Sequence, residues 1–331
     1  MRLQQGSVAA LLCLSLMTVG AQASPPAEVD AFTQKMVTEH GIDAKKVEQL
    51  LGQAKLNEDV LAAIQRPWEA KPWHQYYPIF LTEKRINAGV KFWQTYQAEL
   101  ARAEAEYGVP AEMIVAIIGV ETFYGNYTGN YKVLDALYTL GFHYPPRQTF
   151  FRSELEQFML LTAEESLDPL AIKGSYAGAM GWGQFISSSY RHYAVDFDGD
   201  GVRDLLNNPI DAIGSVANYF REHGWQPGEP VSFKLSSAPE AVLETPLKPS
   251  QRVTDLAAAG VKDIPAQVSA DTPVRVLNME AADGRQYWLT LPNFYVITRY
   301  NHSPLYAMAV YELSQSIASA FTQQATLTTA E

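Results

Sequence analysis

One glutamate follows a strongly apolar run, a setting that would suit its carboxyl group to acid catalysis. Met113 to Val120 is almost wholly apolar and leads directly into Glu121, and Gly125 and Gly129 come soon after. Apolar neighbours and the negative end of a helix dipole both disfavour the ionised carboxylate and therefore raise its pKa. A general acid for glycoside cleavage requires such a pKa. The alternative is a helix-end acid at the surface, paired with a lysine or arginine.

A glycine-rich stretch with aromatic residues, Gly174 to Phe185, has the composition of a sugar-binding turn. Small residues let the backbone approach a ligand closely, Trp182 and Phe185 offer faces for pyranose rings, and Gln184 offers both a donor and an acceptor. The order of the glycines does not fit a nucleotide-binding loop, and no Gly-x-Ser-x-Gly elbow occurs in the stretch. The alternative is a packing turn between helices.

An acidic loop further along has the ligand spacing of an EF-hand. Aspartates occupy loop positions 1, 3 and 5, and a glycine at position 6 permits the sharp turn. Position 12 is Asn207 instead of a bidentate glutamate; Asp204 and Asp211 are candidate replacements, and Asp211 is favoured. Because such dense acids repel one another unless a cation neutralises them, we predict a structural Ca²⁺ site, with an Asx-rich turn as the alternative. The predicted ligands are Asp196, Asp198, Asp200, the carbonyl of Val202, and Asp211.

The elements that must position these residues are predicted to be mostly helical. Apolar residues recur at helical spacing from Glu28 to Gly108, and Thr82 is the predicted N-cap of one long helix that ends at Gly108. The stretch from Pro67 to Pro78, rich in Trp, Tyr and Pro, is predicted to be an ordered loop packed on the body. A final helix is expected from about Pro304 to Gln323.

A small β region precedes that last helix. Its predicted strands are joined in part by a hairpin turn at Asp283-Gly284. The fold class is therefore mostly α (α+β). The four predicted strands are Val231–Leu235, Val274–Met279, Gln286–Leu291 and Phe294–Thr298.

The first residues have the pattern of a secretory signal. Val8 to Val19 is apolar but shorter than the roughly 20 residues that cross a bilayer, and Ala21-Gln22-Ala23 is a small-x-small cleavage site. Cys13, the only cysteine, follows Leu12, where a lipoprotein signal has a small residue. We therefore expect a soluble periplasmic protein with no membrane anchor. The net charge of −11 argues against nucleic acid and anionic membranes as partners.

Together these segments resemble the B-type family of lytic transglycosylases. The matching segments follow the order found in that family and span most of the chain after the predicted signal. They are Gly119–Thr122 with Tyr124-Gly125, Gly178–Phe185, Ser188–Tyr190, the acidic loop, Asp211–Phe220, Tyr300-Asn301 with Ser303, and Tyr306–Tyr311.

The resemblance implies a lysozyme-like catalytic core, with Glu121 as the catalytic residue. Arg147 matches one of two adjacent basic residues in the family's groove, but its neighbour here is Pro146. The other implied sugar-groove residues are Ser175, Gln184, Phe185, Tyr219, Tyr300, Asn301 and Tyr306. The expected organisation is a signal peptide (1–23), a helical N-terminal region (24–108), the lysozyme-like core with the EF-hand-like loop (109–227), a small β domain (228–298) and a C-terminal segment and helix that complete the groove (299–331).

The implied reaction cuts the bond between N-acetylmuramic acid and N-acetylglucosamine in peptidoglycan glycan strands. Glu121 would protonate the linking oxygen, the substrate's acetamido group would stabilise the developing charge, and Glu121 would then accept the proton of the muramoyl C6 hydroxyl as a 1,6-anhydro ring closes. The alternatives are a lysozyme-like hydrolase, in which water attacks, and a non-catalytic, calcium-stabilised wall-binding protein. Proteins of cell-wall synthesis are possible partners.

Overall fold

A computed structural model describes residues 26–66, 71–243 and 245–328, so the predicted signal segment lies outside the described residues. Helices dominate it, which confirms the predicted fold class. The helices are α1 (Pro26–His40), α2 (Ala44–Leu51), α3 (Glu58–Ile64), α4 (Trp73–Tyr76), α5 (Glu83–Thr95), α6 (Gln97–Tyr107), α7 (Ala111–Thr122), α8 (Val133–His143), α9 (Gln148–Glu164), α10 (Ser187–Tyr193), α11 (Pro209–Glu222), α12 (Val253–Ala258), α13 (Pro292–Tyr300) and α14 (Pro304–Thr328).

The helical body is built around α7. Every residue from Met113 to Val120 is buried, as expected of a helix that is apolar on all sides. Helices α5, α6, α11 and α14 pack around it. The largest hydrophobic cluster fills this body and includes α7 throughout.

The long helix predicted from Thr82 to Gly108 is instead two helices. Its ends are where we expected them: the Thr82 hydroxyl oxygen accepts a hydrogen bond from the Arg85 N–H (3.2 Å), and Gly108 ends α6 in the left-handed conformation. The backbone leaves helical geometry at Tyr96, because α5 packs against α7 and α14 whereas α6 packs mainly against α11. Tertiary contacts therefore set the break, which local propensity does not signal.

The strands form two antiparallel sheets. The first pairs β1 with β2, and the second has the order β3-β6-β5-β4, with a hairpin in which Ala281 lies opposite Gly284. The predicted hairpin is present, but its turn is one residue earlier than the predicted Asp283-Gly284, because Gly284 already pairs with Ala281 and leaves Ala282 and Asp283 as the turn residues. The strands are β1 (Tyr131–Lys132), β2 (Lys173–Gly174), β3 (Ser232–Leu235), β4 (Gln251–Arg252), β5 (Pro273–Ala281) and β6 (Gly284–Thr290).

The strand predicted over Phe294–Thr298 is wrong, since these residues lie in helix α13. Pro292 stands in the first turn of that helix, where its missing N–H costs no hydrogen bond. The β-branched run Val296–Thr298 favours a strand locally, but Phe294 and Ile297 share one helix face and bury it in the main core.

The two faces of the β5–β6 hairpin have different partners. Leu277, Met279 and Trp288 belong to the hydrophobic cluster of the helical body, whereas Val276 and Leu289 belong to a smaller cluster within the β region. This alternation follows from the two-residue repeat of a strand. The β region therefore has its own core and is also packed against the helices. Among the described helices, none combines the length and apolarity needed to cross a membrane.

Candidate active site

Glu121 lies in the last turn of α7, as the sequence predicts. The helix ends because Phe123 and Tyr124 both adopt the left-handed conformation, with φ of 51° and 58°. Their N–H groups donate to Gly119 and Ile118 in a Schellman-type end. Residues other than glycine rarely adopt such φ angles. The resulting backbone strain is found most often at active sites.

The Glu121 side chain is half-buried, and desolvation dominates the electrostatics of its carboxyl group. Burial raises its pKa to about 7, and a hydrogen bond donated by the Tyr306 hydroxyl to Oε1 (2.5 Å) opposes part of that rise. Tyr306 is buried on α14 and remains protonated, because burial and the nearby carboxylate both raise its pKa. A carboxyl group with a pKa near 7 can both deliver and accept a proton at neutral pH.

A cleft of about 260 Å³ opens above Glu121. Among the described residues that line it, Glu121 is the one that carries a carboxylate. Three of the lining residues were not predicted from the sequence: Tyr76 lies in the segment Pro67–Pro78, which we predicted to be a packed loop, and Ile79 and Phe80 follow that segment directly. The described part of this segment is, from Trp73 onward, α4 followed by a 3₁₀ turn, Tyr77–Ile79. Its high aromatic content was the signal that could have marked it as a groove wall.

The glycine-rich turn is fastened directly to the end of α7. The Thr122 hydroxyl donates to the Trp182 carbonyl oxygen (2.9 Å) and accepts from the Gly125 N–H (3.0 Å). The Trp182 ring covers Gly125 so closely that a Cβ there would lie 2.6 Å from it. Gln184 has a φ of 51°, and its amide donates to the carbonyl oxygens of Thr128 and Gly181. The two motifs therefore form one structural unit.

Three of the predicted groove residues form an aromatic cluster beneath the glycine-rich turn. Phe185 is only 2% exposed and meets the rings of Tyr219 and Tyr300 edge-on, at 5.7 and 5.8 Å. The Tyr219 hydroxyl donates to the Arg299 carbonyl oxygen and that of Tyr300 to the Gly183 carbonyl oxygen, both at 2.6 Å. The Phe185 ring thus supports the turn and offers no open face for a sugar, contrary to our expectation from sequence.

The remaining predicted groove residues lie in different surroundings. Asn301 lines the cleft with Glu121 and Tyr306. The Ser175 hydroxyl accepts hydrogen bonds from two backbone N–H groups of the glycine-rich turn and so holds its shape. Arg147 is exposed, stacks over Phe150 at 4.5 Å, and is not among the residues that line the cleft.

The acidic loop brings together Asp196, Asp198 and Asp211. One carboxylate oxygen from each lies within 4.8 Å of the others, a group that does not include Asp200. Asp211 is buried in the first turn of α11, and its two oxygens accept from the backbone N–H groups of Phe197 (2.8 Å) and Asp204 (2.7 Å). Three oxygen donors converging on one point suit a hard cation such as Ca²⁺.

The acidic loop also touches the glycine-rich turn. The Trp182 N–H donates to the Leu205 carbonyl oxygen (3.0 Å), and a Cβ on Gly181 would lie 2.1 Å from that same oxygen. Because Gly181 has a φ of +71° and a backbone atom against it, only glycine fits. The loop thus supports the segment that carries Gln184.

Comparisons with known proteins agree with this architecture. The family model described as transglycosylase SLT domain matches residues 24–315. Membrane-bound lytic murein transglycosylase B of Escherichia coli is 44% identical over 320 residues, which are 93% of this chain and 88% of that protein.

Solved structures of other lytic transglycosylases are also similar to this chain. Lytic transglycosylase SltB1 from Pseudomonas aeruginosa has a TM-score of 0.85 and 48% identity, covering 90% of this chain and 99% of that one. Escherichia coli lytic transglycosylase Slt35 in complex with calcium has a TM-score of 0.82 and 45% identity, covering 90% and 94%. Slt35 has also been solved in complex with bulgecin A.

Proposed function

This chain belongs to the transglycosylase SLT domain family and is a lytic transglycosylase that acts on peptidoglycan, and we propose that Glu121 is its catalytic acid and base. The observation that carries this assignment is the Glu121 carboxyl group itself. It lines a cleft, desolvation raises its pKa to about 7, and a phenol donates a hydrogen bond to it.

In the first step, Glu121 transfers its proton to the oxygen that joins N-acetylmuramic acid to N-acetylglucosamine. That bond breaks, and positive charge develops at C1 of the muramoyl sugar. Since Glu121 is the one carboxylate among the described lining residues, the substrate's own acetamido oxygen is the group that stabilises this charge. The Tyr306 hydroxyl stabilises the carboxylate left on Glu121 by its hydrogen bond.

In the second step, the ionised Glu121 accepts the proton of the C6 hydroxyl of the same muramoyl residue. The C6 oxygen attacks C1, a 1,6-anhydro ring closes, and Glu121 returns to its protonated form. The attacking group is already attached to the sugar, so its effective concentration exceeds that of any competing nucleophile in a cleft of about 260 Å³ with apolar walls.

The sugars on either side of the broken bond are proposed to lie along the glycine-rich turn. Gln184, Ser175 and Asn301 are the polar groups that position them, while Phe185, Tyr219 and Tyr300 hold the turn from beneath. Arg147 is proposed to contact the substrate further from the broken bond, since it is exposed and lies outside both the cleft and the glycine-rich turn.

The acidic loop is proposed to hold a structural Ca²⁺ ion. Asp196, Asp198 and Asp211 already converge, and Asp200 and the Val202 carbonyl, predicted from the EF-hand spacing, would complete the oxygen ligands. The ion would neutralise the packed carboxylates and fix the loop that supports Trp182. It supplies no step of the reaction.

The proposed location is the periplasm, as a soluble protein after removal of residues 1–23. The predicted signal segment supports this location, and so does the proposed substrate, the glycan strands of the wall. Partners among the proteins of cell-wall synthesis are a further proposal.

Mass spectrometry of the products released from purified sacculi tests the reaction. We expect products that end in 1,6-anhydromuramic acid, one water lighter than reducing-end products, and none of them from a Glu121→Gln control. Reducing-end products from the wild-type protein would make it a hydrolase. Binding to sacculi without any release would make it a wall-binding protein.

A further inference from the structure

A second cavity, of about 450 Å³, lies between the helical body and the β5–β6 hairpin. Its volume falls within the usual range for small-ligand sites. The walls come from three places: the segment that begins with α4, the β region, and α14. Residues that line it include Trp73, Tyr77, Lys234, Asp283, Trp288 and Glu312.

This hairpin cavity and the Glu121 cleft share two walls. Tyr76 lines the cleft while its neighbour Tyr77 lines the hairpin cavity. On α14, Tyr306 lines the cleft and Glu312 the hairpin cavity; six residues of helix separate them by about 9 Å. Since an extended peptide spans roughly 3.3 Å per residue, a chain of three or four residues attached to a sugar at Glu121 reaches the hairpin cavity.

The lining of the hairpin cavity combines aromatic surface with charges of both signs. Lys234 lies directly across the sheet from Trp288, with its Nζ 6.0 Å from the indole ring. Glu312 lines the cavity from α14. The positive charge of Lys234 opposes the rise that burial causes in the pKa of Glu312, but no ion pair between the two side chains is described. Asp283 adds a further carboxylate at the hairpin tip, and the ion pairs described within the β region involve other residues.

An indole donor next to these charges also lacks an acceptor. The Trp288 Nε1–H is buried and has no hydrogen-bond partner among the described residues. Trp288 itself is 9% exposed and lines the hairpin cavity. A buried donor without a partner is costly, and ligand sites are among the places where such groups persist.

Building on the proposed function, we propose that the hairpin cavity binds the peptide stem of the glycan strand whose sugars lie at Glu121. The group it fits is a peptide residue with both a free carboxylate and a free ammonium group, received by Lys234 on one side and by Asp283 and Glu312 on the other. Neutral acetamido sugars would leave these charges unpaired. The β domain thereby contributes to substrate selection, although it adds no residue to the described lining of the Glu121 cleft.

Calorimetry with a free stem peptide tests the site without any catalysis. The probe is a synthetic tetrapeptide stem with a free amino and a free carboxyl group on one side chain, compared with the same peptide in which both are capped. We expect the uncapped peptide to bind the wild-type protein and to bind Lys234→Met roughly tenfold more weakly. Lys262→Met, an exposed lysine of the β region away from the hairpin cavity, is the matched control and should bind like wild type.

A second measurement compares cleavage of stem-bearing and stem-free glycan. We expect wild-type protein to favour the stem-bearing strand, and Lys234→Met and Glu312→Gln to lose most of that preference while Lys262→Met keeps it. The proposal is overturned if the uncapped peptide does not bind, or if Lys234→Met and Lys262→Met behave alike. If the wild-type protein cleaves neither glycan, the proposed reaction fails instead, and the calorimetry still decides the hairpin cavity.

Discussion

Two groups of carboxylates in this protein are placed in opposite ways. Glu121 is half-buried among apolar and aromatic side chains, and the one described hydrogen bond to its carboxyl group comes from Tyr306. In the acidic loop, the single side chain of Asp196 accepts hydrogen bonds from three backbone N–H groups, those of Gly199, Asp200 and Gly201. Asp211 is fully buried, yet each of its oxygens has a backbone donor.

This difference shows that the number of hydrogen-bond donors around a carboxylate, more than its burial, distinguishes the proposed catalytic acid from the proposed Ca²⁺ ligands. Burial raises the pKa of both Glu121 and Asp211, but backbone donors oppose the rise at Asp211. A carboxylate surrounded by donors keeps its charge and suits a cation. A carboxyl group with one donor in an apolar cleft holds its proton near neutral pH and can transfer it.

The largest expected effect is on catalysis, after Glu121→Gln. The amide cannot exchange the proton, so we expect glycan cleavage to slow by about 10³-fold or more. Release of soluble products from sacculi measures it. Glu112→Gln, the same change in the first turn of the same helix, should keep wild-type activity. A Glu121→Gln protein with normal turnover would remove Glu121 from the mechanism.

The next expected effect concerns stability. The same substitution, Glu121→Gln, should make the folded protein more stable although it removes the activity. The pKa of Glu121 is about 7 in the folded protein and near the ordinary value of 4.5 in the unfolded chain, so the folded state binds the proton more tightly. Wild-type stability should therefore fall, relative to Glu121→Gln, as the pH rises from about 4.5 through 7. Each pKa unit corresponds to about 1.4 kcal/mol, which makes the Gln variant about 3 kcal/mol more stable at pH 8.

Urea unfolding of both proteins at pH 5 and pH 8 measures this difference. The advantage of the Gln variant should be small at pH 5 and largest at pH 8. Parallel pH dependences for the two proteins would mean that the Glu121 carboxyl group is not desolvated in solution.

The carboxylates of the acidic loop should have the opposite effect to that of ionised Glu121: they should stabilise the folded protein when they bind Ca²⁺. Free Ca²⁺ at about 100 times its Kd stabilises the folded state by about 2.7 kcal/mol, which raises the Tm by about 5 °C for a chain of this size. Scanning calorimetry with Ca²⁺ or a chelator measures it. Asp196→Asn combined with Asp198→Asn should abolish the response, and Asp30→Asn, an exposed change on α1, should retain it. An unchanged response in the double variant would exclude the loop as the site.

The smallest effect is expected from Tyr306→Phe, which removes the donor to Glu121. Because this hydrogen bond favours the ionised carboxylate, its loss should raise the Glu121 pKa further and move the alkaline limb of the pH–rate profile upward by about one pH unit. Tyr311→Phe, a hydroxyl on the same helix that donates to Ser232, is the control. A profile identical to that of the wild type would mean that the hydroxyl does not act on Glu121.

Much of the fold and of the candidate site could be predicted from local sequence. The apolar run before Glu121 and the glycines after it gave the helix and its end, and the aspartate spacing gave the loop in which Asp196 and Asp198 converge. The break at Tyr96 and the helix over Phe294–Thr298 did not follow, because packing against distant helices overrode local preference at both places.

The sequence by itself thus determined the type of chemistry: a helix-end acid, a glycine-rich turn beside it and an acidic loop. Only the tertiary structure decided the setting of that acid. Tyr306 lies 185 positions from Glu121, and the aromatic wall containing Tyr76 comes from the N-terminal side. The pKa of a carboxyl group depends on the solvent and donors around it in space, and residue spacing along a chain does not encode contacts over such separations.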